Sequence, residues 1–289
     1  MLKTVEAESS VIRVGPAGWS YDDWKGTVYP KESRKFDPLE FLAHYFDTIE
    51  INSPFYRIPP VAHAKSWSRR VVANRNFRFT TKLFRGFTHE KNTTGVDDVS
   101  QFRAYLDVLQ DAGVLGALLI QFPWSFKWDE PSRIWMNKLF VDFAGYPKAI
   151  EVRHASFERE DFRELLEANE VGFVNIDQPQ FDASIAPSEV LTSALGYVRF
   201  HGRNYEKWFT HDESWERYNY LYSRRELEPW VERIKSMNAA AETYVITNNH
   251  FRGQAVLNGL ELKKMLGQRV EIPEQLEATY HDRARQIVI

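Results

Sequence analysis

The chain has 289 residues, with 37 Lys and Arg against 40 Asp and Glu and a net charge of −3. This balance argues against sequence-blind coating of nucleic acid, which needs a broadly basic surface. The absence of cysteine excludes disulfides, thiolate zinc sites and a cysteine nucleophile. The sequence begins with polar residues, and its longest apolar stretch, residues 114–120, is far shorter than the roughly 20 residues that span a bilayer. We therefore expect a cytoplasmic protein that does not enter the membrane.

Short runs of β-branched and aromatic residues recur along the chain and alternate with longer amphipathic stretches. The short runs predict eight strands, at residues 12–18, 48–52, 77–83, 117–122, 149–154, 172–177, 196–201 and 243–249. The longer stretches predict helices at residues 59–74, 100–112, 131–144, 157–169, 227–237 and 253–266. Because a helix separates most of the strands, the pattern is typical of an α/β protein with parallel strands.

Three further intervals between the strands carry specific predictions. The first should hold a helix that begins at Pro38, since Asp37 is a favourable N-cap and proline suits the first helical position. The interval between the sixth and seventh strands has room for a short helix at residues 188–194. The segment 204–225, which follows the seventh strand, is rich in Trp and Tyr. We expect this segment to lie over the carboxyl ends of the strands.

Eight strand–helix units in fewer than 300 residues favour a single-domain α/β fold, a TIM-like (β/α)8 barrel, over a doubly wound open sheet. No Gly/Ser-rich linker divides the chain. We therefore predict one domain over residues 1–289. Its core should cover about residues 12–267, with a short polar N-terminal tail and a C-terminal extension.

Polar residues close seven of the predicted strands, and the carboxyl ends of the strands are where such barrels hold their active sites. Side chains alternate along a strand, so Glu151 and Arg153 share one face, as do Arg199 and His201. A purely structural role is the alternative, because buried ion pairs such as Glu151 with Arg153 also close barrel interiors.

The residue types at these ends suit anion binding and proton transfer. The catalytic candidates are Glu151, Asp177 and His201, because carboxylates and imidazole can move protons. Arginine offers a planar fork that fits phosphate or carboxylate. The candidates for substrate binding are cationic, amide, aromatic and glycine residues around the same rim: Trp19, Asn52, Tyr56, Lys82, Gln121, Arg153, Arg199, Gly202, Asn248 and Asn249.

The sequence requires no cofactor, since it holds no complete P-loop, Rossmann glycine fingerprint or G-x-S-x-G motif. A divalent metal on Glu151, Asp177 and His201 stays open as an alternative. We nevertheless assign no metal ligand, because the neighbouring arginines compete for the same carboxylates.

Several segments together resemble the DUF72 family, the YecE-like proteins. They are VGPAGWSYDDWKG at 14–26, EINSPFYRIP at 50–59, FRFTTK at 77–82, QFP at 121–123, EVRH at 151–154, YVRFHG at 197–202 and NNHFRG at 248–253. The resemblance covers roughly residues 12–267 and implies a TIM-like barrel, but no reaction, because the family is one of unknown function. Pro54 departs from the family's NSTFY run, so no hydroxyl contact is expected there.

Three functions fit these observations. The first is binding or acid–base transformation of a small anionic, sugar-like metabolite, phosphorylated or carboxylated, at the C-terminal face of the barrel, as in an isomerase, epimerase, lyase or hydrolase. The second is a metal-dependent phosphodiesterase or nucleic-acid-processing barrel, although nucleic acid is not the favoured partner. The third is a ligand-binding protein without catalysis. The sequence does not indicate the oligomeric state.

Overall fold

The computed structural model describes residues 11–31, 35–90, 93–213 and 215–288. Within them, eight parallel strands form one sheet that curls into a nearly closed barrel, with β2 to β8 paired in chain order and β8 also paired with β1. The strands are β1 (Ile12–Pro16), β2 (Thr48–Ile51), β3 (Arg78–Lys82), β4 (Leu115–Gln121), β5 (Lys148–Glu151), β6 (Gly172–Asp177), β7 (Leu195–Phe200) and β8 (Glu242–Thr247). The predicted single-domain (β/α)8 architecture is confirmed.

Helices connect most of the strands and continue beyond the last one. They are α1 (Pro38–Tyr45), α2 (Val61–Arg70), α3 (Val96–Asp111), α4 (Glu130–Asp142), α5 (Glu160–Ala168), α6 (Arg224–Asn238), α7 (Gln254–Met265), α8 (Glu274–Thr279) and α9 (His281–Val288). As predicted, Asp37 caps α1, and its carboxylate accepts from Leu39 N at 2.9 Å. The C-terminal extension is tied to the barrel, because Arg283 of α9 donates to Glu261 of α7 at 2.8 Å. The predicted N-terminal tail lies outside the described residues, which begin at Val11.

The seam between β1 and β2 is the weakest part of the barrel wall. An isolated bridge joins the two strands at Glu50, and Gly18 N–H donates to Glu50 O at 2.8 Å. Pro16, two residues earlier on β1, has no N–H to donate. Close approach of the backbones requires glycine at position 15, where a Cβ would lie 1.7 Å from Thr48 O. Glu50 therefore sits directly at this seam.

Most strands end one to three residues earlier than predicted. Asn52, Arg153, His201 and Asn248 consequently lie just past their strands, in the loops of the C-terminal face. Loop backbone frees these side chains from strict alternation, so they can converge on one point above the barrel interior.

The helix predicted at residues 188–194 is wrong, because this segment is an extended loop. Asn175 of β6 explains the difference. Its Oδ1 accepts from the Ser188 hydroxyl at 2.7 Å and from Val190 N at 2.8 Å, and its Nδ2 donates to Val190 O at 2.9 Å. A buried side chain thus satisfies backbone groups that a helix would otherwise have paired internally.

The aromatic-rich segment 204–225 lies over the C-terminal face, as predicted, and its residues His211, Arg217 and Tyr218 line the cavity described below. It contains one short 3-10 helix, Glu216–Tyr218, before α6 begins. Among the helices of the described residues, none is long and apolar enough to cross a membrane.

Candidate functional site

A cavity of about 660 Å³ opens at the carboxyl ends of the strands. This volume falls in the range of small-molecule sites, roughly 300–1,000 Å³. Eight of the predicted substrate-binding residues line it: Trp19, Asn52, Tyr56, Lys82, Gln121, Arg153, Arg199 and Asn248. The other lining residues include Tyr21, Trp67, His211, Arg217, Tyr218 and His250.

The floor of the cavity is a buried ion-pair network centred on Arg199 of β7. Its guanidinium donates to Glu50 at 2.6 Å and also to Glu151, and both carboxylates are fully buried. Tyr197 OH donates to the second oxygen of Glu50 at 2.9 Å. Strands on opposite sides of the barrel are thus linked through one guanidinium, which indicates that Arg199 supports the barrel as well as lining the cavity.

Glu151, at the end of β5, connects this network to the loops above it. Arg153 donates to Glu151 Oε1 through Nε at 2.9 Å and Nη2 at 2.7 Å, and His201 Nε2 lies 3.2 Å from the same oxygen. Burial alone would raise the pKa of Glu151, but Arg199 and Arg153, together with the His201 hydrogen bond, outweigh it and hold the pKa well below its usual range. Glu151 is therefore ionised, and such a carboxylate is a weak proton acceptor.

His201 is fully buried between Glu151 and Asn248. Burial, reinforced by the nearby arginine charges, lowers the pKa of its imidazole to about 3, so the ring is neutral at pH 7. Asn248 Nδ2 lies 3.1 Å from His201 Nδ1. We assign Nδ1 as the acceptor from Asn248 and Nε2–H as the donor to Glu151, which satisfies both ring nitrogens. The imidazole fixes the positions of its neighbours and has no nitrogen left for a ligand.

Lys82 is the last residue of β3, and it reaches the cavity from the wall opposite Arg199 of β7. Its Nζ lies 3.9 Å from the centroid of the Phe55 ring. Among the described residues, no carboxylate lies within 4.0 Å of this amine. Burial, and next the charge of Arg199, lower the pKa of Lys82 to about 7.

Arg217, from the segment 204–225, is a second cation that pairs with no carboxylate of the described residues. Its guanidinium carbon lies 5.4 Å from the centroid of the Trp208 ring, which is the distance of a cation–π contact. Its Nε is buried without a hydrogen-bond partner in the described part of the chain. Arg217 therefore brings positive charge over the cavity from the side opposite the strands.

Aromatic rings form the remaining walls. Trp19 packs edge-on against Trp67, with ring centroids 5.5 Å apart, and Tyr21 stacks on His250 at 4.4 Å. Burial lowers the pKa of His250 to about 4, so this ring too is uncharged at pH 7. Tyr56 stands at the mouth and is 69% exposed. Flat ring faces next to amide groups suit a ligand that has both C–H faces and hydroxyls.

Five predicted site residues lie outside the cavity lining. Glu151 and His201 belong to the buried network beneath the cavity, and the other three have partners elsewhere. Asp177 is fully buried behind the barrel wall, where it accepts hydrogen bonds from Arg203, Trp230 and Tyr222. The Asn249 side chain is directed toward α7, where it donates to Asn258 Oδ1 at 2.8 Å. The third, Gly202, offers its N–H to Tyr222 OH at 2.9 Å and adopts a φ of +89°, which favours glycine. The contacts of all three are structural, and the catalytic roles of Glu151, Asp177 and His201 stay predictions.

Sequence reasoning missed two charged residues of the site. Glu50 had a usable signal, because it precedes Asn52 by two residues at the end of a predicted strand. Arg217 had no such signal, because a single arginine in a loop does not show which part of the molecule the loop will cover. A cluster of three or more His, Cys, Asp or Glu side chains able to hold a metal does not occur among the described residues. The carboxylates nearest the cavity, Glu50 and Glu151, are already bound to arginine.

The fold and the cavity define an α/β barrel with a cavity at the carboxyl ends of its strands that is lined by Lys82, Arg153, Arg199 and Arg217. The sequence profile of the family described as "Protein of unknown function DUF72" matches residues 13–282. The chain belongs to this family, as its sequence motifs predicted.

Proteins similar to this chain match about nine-tenths of its length. The UPF0759 protein YunF of Bacillus subtilis is 25% identical over 272 residues, covering 89% of this chain and 95% of YunF. A DUF72 family protein of Thermotoga maritima is 34% identical, covers 89% of this chain and 100% of its own, and superposes with a TM-score of 0.78. A second, from Enterococcus faecalis, is 25% identical, with 91% and 98% coverage and a TM-score of 0.79.

Proposed function

We propose that the cavity binds a small anionic, hydroxyl-rich metabolite such as a phosphorylated or carboxylated sugar. The observation that carries this proposal is a charge imbalance. Four cations line the cavity, but the two nearby carboxylates, Glu50 and Glu151, pair with only two of them, Arg153 and Arg199. Lys82 and Arg217 are left to attract a negatively charged ligand, because a cation held in a partly buried site gains from a partner.

The neutral residues of the lining support a ligand that is rich in hydroxyl groups. Asn52, Gln121 and Asn248 place amide groups in the cavity, and Asn52 Oδ1 is buried without a hydrogen-bond partner in the described part of the chain. A ligand hydroxyl could satisfy this orphaned acceptor. Trp19 and Tyr21 offer ring faces against which a sugar ring could pack.

Arg217→Ala tests the anion site without disturbing the barrel. The substitution removes one charge-assisted hydrogen bond, worth about 1.5–3 kcal/mol, so we expect the affinity for sulfate or a sugar phosphate to fall about 10- to 100-fold. Melting curves measure this effect, since a ligand at 100 times its dissociation constant stabilises the wild type by about 2.7 kcal/mol. Without ligand, the variant should melt close to the wild-type temperature, because Arg217 lacks an ion pair among the described residues.

The matched control is Arg225→Ala, which removes the same charge from an exposed position at the start of α6. This variant should keep the full anion response. If wild-type protein shows no melting shift with sulfate, phosphate or sugar phosphates, the proposal fails. Equal losses in both variants would mean that only the overall charge of the protein matters.

The affinity for sulfate should fall as the pH rises from 6 to 8. Lys82, with its pKa lowered to about 7, loses its proton in this interval, and the charged form is the one that attracts an anion. If only that form binds, the protonated fraction and the affinity drop about tenfold. Sulfate keeps its own charge over this range, so isothermal titration calorimetry at each pH isolates the protein's contribution.

Two variants identify the group that titrates. Lys82→Met should bind sulfate weakly and independently of pH. His211→Gln should retain the pH dependence, although His211 also lines the cavity. His250 and His201 do not interfere, because their pKa values are lowered to about 4 and about 3. A fall in affinity that vanishes in His211→Gln and persists in Lys82→Met would contradict the assignment to Lys82.

A further inference from the structure

We propose that Lys82 is a nucleophile, and that its amine forms an imine with the carbonyl carbon of an anionic aldehyde or ketone bound in the cavity. The inference rests on the proposed anion site and adds a covalent step to it. Arg217, the other cation left without a carboxylate partner among the described residues, would hold the anionic group while Lys82 reacts.

The surroundings of Lys82 differ from those of Lys148 and Lys263, the two buried lysines among the described residues. Lys148 donates to Tyr146 O at 3.3 Å, and Lys263 donates to Tyr45 O at 2.7 Å. Each of these amines is held by a backbone acceptor. Lys82 Nζ instead faces the Phe55 ring and the open cavity, and it has no hydrogen-bond acceptor or carboxylate among the described residues. An amine in such a place is free to approach a ligand.

Burial and a neighbouring positive charge favour the reactive form of this amine. Burial of Lys82, and next the positive charge of Arg199, favour the uncharged amine and outweigh the opposing charges of Glu50 and Glu151. A cation near other cations, in a partly buried site, loses its proton more readily. With a pKa of about 7, roughly half of the Lys82 side chains carry the neutral, nucleophilic amine at pH 7, whereas an ordinary lysine carries almost none.

The step balances without an oxidant or reductant. The Nζ lone pair forms a bond to the carbonyl carbon, and the carbonyl π electrons move to oxygen, which takes a proton from the nitrogen. The resulting carbinolamine expels that oxygen as water with the second nitrogen proton, and a C=N bond forms. Protonation of the imine nitrogen by solvent then gives an iminium, which draws electrons from the adjacent carbon and so prepares isomerisation or C–C bond cleavage.

Reductive trapping tests the proposal. The full chain is incubated at pH 8 with sodium cyanoborohydride and one probe, either dihydroxyacetone phosphate or pyruvate, and the product is mapped by peptide mass spectrometry. We expect one adduct per chain, on Lys82, formed at least tenfold faster than any adduct on an exposed lysine such as Lys25 or Lys235. Excess sulfate should slow the reaction, because it competes for the anion site.

Lys82→Arg is the decisive variant, since it retains the positive charge but cannot form the imine. It should bind sulfate with an affinity near that of the wild type at pH 6 and give no adduct with either probe. If wild-type protein binds sulfate but is trapped no faster at Lys82 than at exposed lysines, the covalent role is wrong and the anion site stands. If sulfate does not bind, and adducts on Lys82 are insensitive to it, the proposed function fails while the nucleophile survives.

Discussion

Arg199→Ala is expected to lower the free energy of unfolding by about 3–5 kcal/mol, the cost of breaking a buried ion pair. The guanidinium is 1% exposed and bridges Glu50 and Glu151 across the barrel. Its removal leaves both buried carboxylates without this cation, and Arg153, His201 and Tyr197 are the contacts that remain to them among the described residues. The loss would remove much of the 5–15 kcal/mol by which native domains are stable.

Urea-induced unfolding, followed by tryptophan fluorescence, measures this loss. Arg159→Ala is the matched control, because Arg159 also pairs with an acid, Asp161, but its side chain is 55% exposed. Exposed pairs contribute about 0–1 kcal/mol, so the control should unfold almost as the wild type does. A loss below 1 kcal/mol in Arg199→Ala would show that the guanidinium is free to serve the ligand and that the barrel does not depend on it.

The fold was predictable because its signal is local and repeated. The alternation of short apolar runs with amphipathic stretches defines eight strand–helix units, and helix caps such as Asp37 mark where an element begins. The loop at residues 188–194 was not predictable in this way. Its conformation depends on the side chain of Asn175, which lies 15 residues before Val190 in the sequence, beyond the reach of local helix signals.

The candidate site was predictable only in part, for a geometric reason. Alternation shows which residues of a strand share a face, but not which face looks into the barrel. Glu151 and Arg199 look inward. In β6 the inward positions belong to Val174 and Ile176, so Asp177 falls on the outer face toward α6. Both faces of β6 are buried, so no exposed polar stripe distinguished them. Arg217 was not predictable for another reason. Its position over the cavity depends on the conformation of the long segment 204–225.

Asp177→Ala is expected to destabilise the protein by about 3–5 kcal/mol, as removal of one partner of a buried charged group does. The carboxylate accepts from Arg203 at 2.5 and 2.8 Å, from Trp230 Nε1 at 2.7 Å and from Tyr222 OH at 2.7 Å. Without it, two fully buried donors on α6 and the preceding segment lose their acceptor, at a cost of about 1–3 kcal/mol each. Arg203 is 31% exposed along its side chain and can turn to water, so it adds little.

The same variant separates a structural from a catalytic role for Asp177. A structural carboxylate predicts lower stability in urea together with unchanged sulfate affinity in the folded protein, because Asp177 does not line the cavity. The nearby Asp182→Ala, at an exposed position, should change neither quantity. A variant as stable as the wild type that lost ligand turnover would restore the catalytic assignment. It would also mean that Arg203 and Trp230 find other acceptors, which a hydrogen-exchange comparison of α6 would detect as unchanged protection.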